Sequence, residues 1–340
     1  MMITLQQFLE TPSTAISPTY DTSLMEKGFV SALTDLSLIQ VSGDDAANYL
    51  HNQLSNDIEH LDATAARLAA YCSPKGRMLA SLFIWKTSEG IFLQLSSSIQ
   101  AAIQKRLQMF VMRAKAKLLN VSAEYIMLGI GGATASKTLQ QWFPQLPADT
   151  NSKVDNQYGS LIRVADAFGH ARYQWIVKAD ALENYWSSLQ QELQPVDASV
   201  WRRAEILAGI PRIIDKTQEQ FVPQMVNFEL IGGVNFKKGC YPGQEIVARS
   251  QYLGKLKRRM SIATIHSTEV RAGMELFAED DASQPCGMIV NAELSNTEDS
   301  ICLAELKVAI QETGQIHLGS GSGPVLQFLP LPYPMLDITQ

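Results

Sequence analysis

The feature that most constrains the fold is a change in the rhythm of the apolar residues near Arg259. Upstream, short strand-like runs alternate irregularly with helix-length segments. Downstream, short strands follow one another, separated by Gly, Asp and Asn, with a Gly/Ser-rich loop at 319–323. Such a pattern is mixed rather than regularly doubly wound, and predicts an α+β body followed by a small β-barrel or sandwich. Residues 36–41 have strand character, and Ser42-Gly43-Asp44 supplies turn and N-cap chemistry before a helix through Ala46, Tyr49, Leu50 and Leu54. The runs 66–71, 78–85 and 91–95 are separated by Ser73-Pro74-Lys75-Gly76 and Thr87-Ser88-Glu89-Gly90, which predicts an antiparallel meander. A helix is expected over about 98–112, and strand-then-helix order recurs at 125–130 and 133–142. A further helix over 199–208 has Gly209 as its stop. The Ser-, Thr- and Pro-rich first twenty residues read as a loosely ordered arm.

At 340 residues the chain exceeds what one hydrophobic core normally organises. With 34 acidic against 28 basic residues and a net charge of −6, it is not a wholesale polyanion binder. No apolar run approaches the ~18 residues a bilayer requires, and the opening MMITLQQFLETPS lacks a basic flank, so a soluble, cytoplasmic protein without membrane contact is expected. Cys72, Cys240, Cys286 and Cys302 form no close pair, and the five histidines show no paired spacing. Neither a disulfide framework nor a stable metal site is expected. Gly131-Gly132-Ala133-Thr134-Ala135-Ser136-Lys137-Thr138 imitates a phosphate loop, but Ser136 stands where its second glycine belongs. A glycine turn into a helix is the better reading.

The most informative stretch runs from Phe236 to Arg249, FKKGCYPGQEIVAR. Pro242 suits the first position of a helix and Glu245 its first turn, which would place Cys240 just before a helix N-terminus. Two readings stay open: a reactive thiolate favoured by the helix end and by Lys237 and Lys238, or a buried cysteine in a glycine turn. Between Lys237 and Arg259 seven basic residues face one acid. This is either a solvated basic edge or, around Lys255, Lys257, Arg258 and Arg259, a weak contact for tRNA. Trp201, opening the helix that ends in Gly-Ile-Pro, is either core or a platform for a planar ligand, with Glu205 one turn later.

The stretch Lys238-Gly239-Cys240-Tyr241-Pro242-Gly243-Gln244-Glu245 resembles the signature of the YgfZ-type folate-binding proteins. Ala208-Gly209-Ile210-Pro211, Pro223-Gln224-Met225-Val226-Asn227, Ser42-Gly43-Asp44-Asp45, Pro74-Lys75-Gly76-Arg77 and Leu331-Pro332-Tyr333 extend the likeness over most of the chain. The resemblance implies kinship with the aminomethyltransferase of the glycine cleavage system: two intertwined α+β lobes and a C-terminal small β-barrel around a central pocket for tetrahydrofolate or a derivative. The expected organisation is an arm over 1–24, a folate-binding region over 25–252 with its lobes split near 120, and a barrel over 255–332. It also implies a role in assembly or repair of iron–sulfur client enzymes, including radical enzymes that thiolate tRNA.

Carried onto this chain, Cys240 is the functional thiol, with Lys238, Tyr241, Gly243, Gln244 and Glu245 as its frame. Trp201 becomes a folate contact, and Leu36 stands where a second, aromatic contact is expected. In the aminomethyltransferases a carboxylate follows the hairpin glycine; here the segment reads Gly76-Arg77-Met78-Leu79-Ala80-Ser81, with no acid. Losing such a proton-managing group removes a contribution of roughly 10²–10⁴-fold, so ordinary aminomethyl transfer is not expected. The alternatives are a folate-dependent one-carbon transferase using Glu245 or Tyr241, and a plain RNA-binding module using the basic edge.

Overall fold

The computed structural model describes residues 3–10, 22–252, 256–281, 283–311 and 314–335. In chain order it begins with helices α1 (Leu5–Glu10) and α2 (Thr22–Lys27), strands β1 (Phe29–Ala32) and β2 (Leu36–Ser42), and helix α3 (Ala46–His51). Strands β3 (Ala66–Cys72), β4 (Met78–Thr87) and β5 (Gly90–Ser96) precede helix α4 (Gln100–Val111). Then come β6 (Lys117–Asn120), β7 (Tyr125–Gly131), α5 (Ala135–Leu139), β8 (Lys153–Asn156), β9 (Gly159–Ala167) and β10 (His170–Lys178). Next are α6 (Glu183–Glu192), β11 (Gln194–Val196), α7 (Ala198–Leu207) and α8 (Gln244–Tyr252). The tail holds β12 (Arg258–Ile265), β13 (Glu275–Ala278), β14 (Gly287–Leu294), β15 (Ser300–Lys307), α9 (Val308–Gln311), β16 (Ile316–Leu318) and β17 (Leu326–Leu329). Among the described residues no helix is long and apolar enough to cross a membrane.

The chain divides into two compact units, Met1–Ala46 with His60–Arg67 and Phe83–Ala204, and Ala47–Glu59 with Leu68–Leu82 and Glu205–Gln340. In the first unit, a six-stranded sheet runs in the order β11-β1-β7-β10-β9-β8. Its inner strand β1 pairs in parallel with β11 and antiparallel with β7. Val30, Leu128, Trp175, Phe143 and Trp186 fill the core on one side of it. A second set of antiparallel strands joins the Phe83–Thr87 half of β4 to β5, β5 to β2 and β2 to β6, with α4 against β2; its β4–β5 hairpin is the second half of the expected meander.

The start of the chain departs from the expected loose arm. Residues 3–10 are ordered, because Phe8 stacks on Trp186 at 4.3 Å between ring centroids and the indole N–H of Trp186 donates to the Ile3 carbonyl at 3.0 Å. A six-residue helix has little stability of its own, so this docking holds it. Residues 11–21 of that arm lie outside the described residues. The phosphate-loop imitation is a packing device: a Cβ at Gly132, where φ is +93°, would stand 2.5 Å from the Gly28 Cα, so only glycine lets the two chain segments meet.

In the second unit, β16-β13-β14-β15-β12-β17 form a curled, antiparallel six-stranded sheet. Ala263, Ile289, Cys302 and Leu318 pack one core, and Met260, Ile262, Val290 and Leu303 another together with Met78, Phe221 and Phe228. These are the short, alternating strands that the tail's apolar rhythm foretells.

Candidate functional site

The loop that carries Cys240 is fastened at both ends by buried polar contacts within the second unit. Ser55 Oγ donates to the Gly233 carbonyl at 2.6 Å and accepts from the Ala70 N–H at 2.7 Å. Asn56 Nδ2 donates to both the Leu68 and Gly232 carbonyls at 2.7 Å. Downstream, the loop meets the hairpin turn between β3 and β4 without any side chain between them. Gly243 has φ +80°, and a Cβ there would lie 2.4 Å from the Ser73 carbonyl oxygen and 2.8 Å from the Gly76 Cα. Gly76 has φ +70°, and its own Cβ would crowd Ile246 at 2.9 Å. Both positions therefore demand glycine on two counts, conformation and space.

That left-handed Gly243 also corrects one expectation. Pro242 is not the first residue of the helix; Pro242 and Gly243 form a turn and α8 starts at Gln244, so Cys240 precedes the helix by a full turn of chain.

Cys240 is exposed, whereas Cys72, Cys286 and Cys302 are buried. Burial pushes the Cys72 and Cys302 thiols up to about 12. Beside Cys240, the half-buried Lys238 points back into the unit, where its Nζ donates to the His51 carbonyl at 2.5 Å and the Leu54 carbonyl at 3.0 Å and lies 4.8 Å from the centre of the Tyr241 ring. Loss of hydration brings the Lys238 ammonium down to about 8, against the opposing pull of Asp57, Cys240 and Glu59. Tyr241 is buried, and desolvation raises its phenol well above the ordinary range, so it is a poor proton acceptor near neutrality. Glu245 is exposed and Gln244 half-buried at the start of α8.

Sequence reasoning missed His51 and Asp57. His51 Nδ1 lies 3.1 Å from Asp57 Oδ1 and 3.8 Å from Glu59 Oε2, and a Cβ at Gly239 would sit 3.6 Å from His51 Nε2. An imidazole oriented by a carboxylate thus stands against the residue preceding the exposed thiol. The segment HNQLSNDIEH carries no motif, and the only signal was a histidine followed within eight residues by two acids. Among the described residues no three His, Cys, Asp or Glu side chains gather as metal ligands.

Trp201 and Leu36 belong to the first unit, and both are buried. A Cβ at Gly129 would lie 2.4 Å from the Trp201 ring, and the Arg172 guanidinium lies 4.6 Å from the ring centre. The indole is thus backed by β7 and covered by a planar cation. Trp201 is 2% exposed and Arg172 1%, so the indole is packed as a core residue in this structure.

The basic edge is not a continuous surface. Arg259 turns inward to Glu229 and to the Gln224 carbonyl, and Arg258 pairs through two nitrogens with the buried Glu305. The tRNA contact expected around Lys255, Lys257, Arg258 and Arg259 therefore loses its two arginines to internal pairs, and Lys255 lies outside the described residues.

Comparison with known proteins adds to this geometry. Residues 24–160 match the GCVT N-terminal domain family. The chain is 34% identical to the tRNA-modifying protein YgfZ of Edwardsiella ictaluri over 67% of its own length and 68% of that protein's. It is 31% identical to the protein of the same name from Hamiltonella defensa, covering 74% and 75%, and 29% identical to that of Photobacterium profundum, covering 90% and 91%. Among solved structures, the glycine cleavage system aminomethyltransferase T of Bartonella henselae superposes with a TM-score of 0.73 over 92% of this chain and 87% of that one, at 15% identity. The α+β architecture is therefore that of the aminomethyltransferases.

Proposed function

The chain belongs to the YgfZ family, and from that premise we propose that it is a folate-binding protein of the cytoplasm that assists assembly or repair of iron–sulfur enzymes and thereby supports tRNA thiolation. Cys240 is the functional thiol. The observation that carries this reading is the single exposed cysteine, held on a loop whose backbone is locked to the β3–β4 turn through two glycines.

A thiolate suits soft iron and sulfur centres, and one cysteine cannot hold a whole cluster, so the remaining ligands come from the client enzyme. Lys238, with its ammonium near 8, holds positive charge by the thiol at neutral pH and can release a proton with modest effort. Lys238 also braces the loop against α3. Tetrahydrofolate or a derivative would rest on Trp201 after displacement of Arg172, with Leu36 as the second contact. When bound, folate supplies a flat ring and one-carbon chemistry. The one-carbon transferase reading is weaker, because Tyr241 is buried with a raised phenol and no acid follows Gly76.

The test has three readouts. Iodoacetamide should label native protein at Cys240 alone. Cys240→Ser should retain folding and tetrahydrofolate-dependent quenching of tryptophan emission. The same variant should fail to restore tRNA thiolation in a deletion strain. Full restoration by Cys240→Ser removes the proposal.

A further inference from the structure

With the arginines of the 255–259 stretch committed inside the second unit, a different surface has the chemistry of a nucleic-acid contact. We infer that the C-terminal half of α4, the turn after it and the edge strand β6 form a docking surface for RNA, a reading that rests on the tRNA-related role proposed above. Between Gln100 and Asn120 the chain carries Lys105, Arg106, Arg113, Lys115 and Lys117 and no acidic residue, in a protein whose net charge is −6. Gln104 and Gln108 of α4 each donate to the Leu118 carbonyl of β6 at 3.3 Å, which sets the helix alongside the strand. Among the described residues only Lys115 of the five cations meets a carboxylate, Asp44 at 3.3 Å; Asp44 and Asp45 mark the acidic rim of the patch.

The same stretch of chain exposes Met109, Phe110, Met112 and Leu119. Met112 is 86% exposed, on a backbone with φ +44°, a conformation costly for a residue with a side chain. An edge strand is often guarded by a lysine, which accounts for Lys117, but guarding an edge gives no reason to display a phenyl ring and two thioethers. Cations without acidic neighbours in sequence, together with an exposed phenyl ring at Phe110 and the guanidinium planes of Arg106 and Arg113, are the groups that the phosphates and unstacked bases of an RNA loop engage.

Unfractionated tRNA in filter-binding titrations between about 50 and 200 mM salt tests the inference. Wild type should bind with a log–log salt slope of about −3 to −4, corresponding to four or five phosphate contacts. The variant Lys105→Glu/Arg106→Glu/Arg113→Glu/Lys117→Glu should lose at least about tenfold in affinity at 100 mM salt and most of that slope. Its melting temperature and tetrahydrofolate-dependent tryptophan quenching should match wild type. Phe110→Ser/Met112→Ser should lose about tenfold with the slope unchanged. Equal tRNA binding by wild type and the charge-reversed variant overturns the inference, as does absence of binding at low salt. Poly-L-glutamate binding as tightly as tRNA overturns it in favour of an acidic protein partner. None of these results bears on Cys240, whose role is read from thiolation in cells and from alkylation.

Discussion

Two stretches of this protein look alike when charges are counted, Lys257–Arg259 and Lys105–Lys117, yet the fold spends them in opposite ways. In the first, Arg259 is enclosed with Glu229, and Arg258 covers Glu305 across the sheet. In the second, the side chains reach solvent beside exposed apolar groups. Adjacent residues of a strand face opposite sides, so two consecutive arginines in β12 could never both have lined one outer face. A cluster of charge in sequence becomes a surface only when the local periodicity puts it on one side.

The sharpest way to break this comparison is Arg259→Ala, which strands Glu229 in the interior and should cost about 3–5 kcal/mol in urea unfolding. Burial raises the Glu229 carboxyl in the folded state, and Arg259→Ala removes the charge that opposes this rise, so in the variant the carboxyl is pushed further toward its neutral form. The deficit should therefore shrink as pH falls toward 5 and widen as pH rises. A cost below about 1 kcal/mol would mean that Arg259 is as superficial as Lys105. Next in size is Gly243→Ala, expected to destabilise by about 1–3 kcal/mol from backbone conformation alone, and to raise the alkylation rate of Cys240 if the loop is released.

Lys238 lies between the two extremes, half-buried and bonded to carbonyls. Its folded ammonium is near 8 and its unfolded one near 10.5, so the folded state holds fewer protons between those values. Wild type should thus gain stability relative to Lys238→Gln as pH rises from about 8 to 10.5, with no further change in the difference below 8. Parallel melting curves of the two proteins across that range would contradict the assignment. The smallest effect belongs to Lys105→Ala or Lys117→Ala, each expected within about 0.5 kcal/mol of wild type.

These contrasts also mark what the sequence makes legible. Local signals read well: the β3–β4 turn at Ser73–Gly76 and the strand-rich tail follow from residues close together in the chain. What depends on distant partners does not. Pro242 looked like a helix start because its neighbour's left-handed backbone is dictated by Gly76, more than 160 residues away. Helix α1 hid within a Ser/Thr/Pro-rich opening because its stability comes from Trp186. His51 and Asp57 approach Gly239 through folding alone, and Trp201 gave no hint that Arg172 would lie across its ring.

The meeting of Gly76 and Gly243 leaves the thiol loop riveted by bare main chain. At the closest approach, Gly243 against the Ser73 carbonyl and Gly76, the contact is main chain on main chain, with the Ile246 side chain packed beside Gly76, so a substitution at either glycine has to move backbone. The charges and rings around the sulfur can thus change without displacing it, whereas moving the sulfur itself requires moving the main chain that holds it.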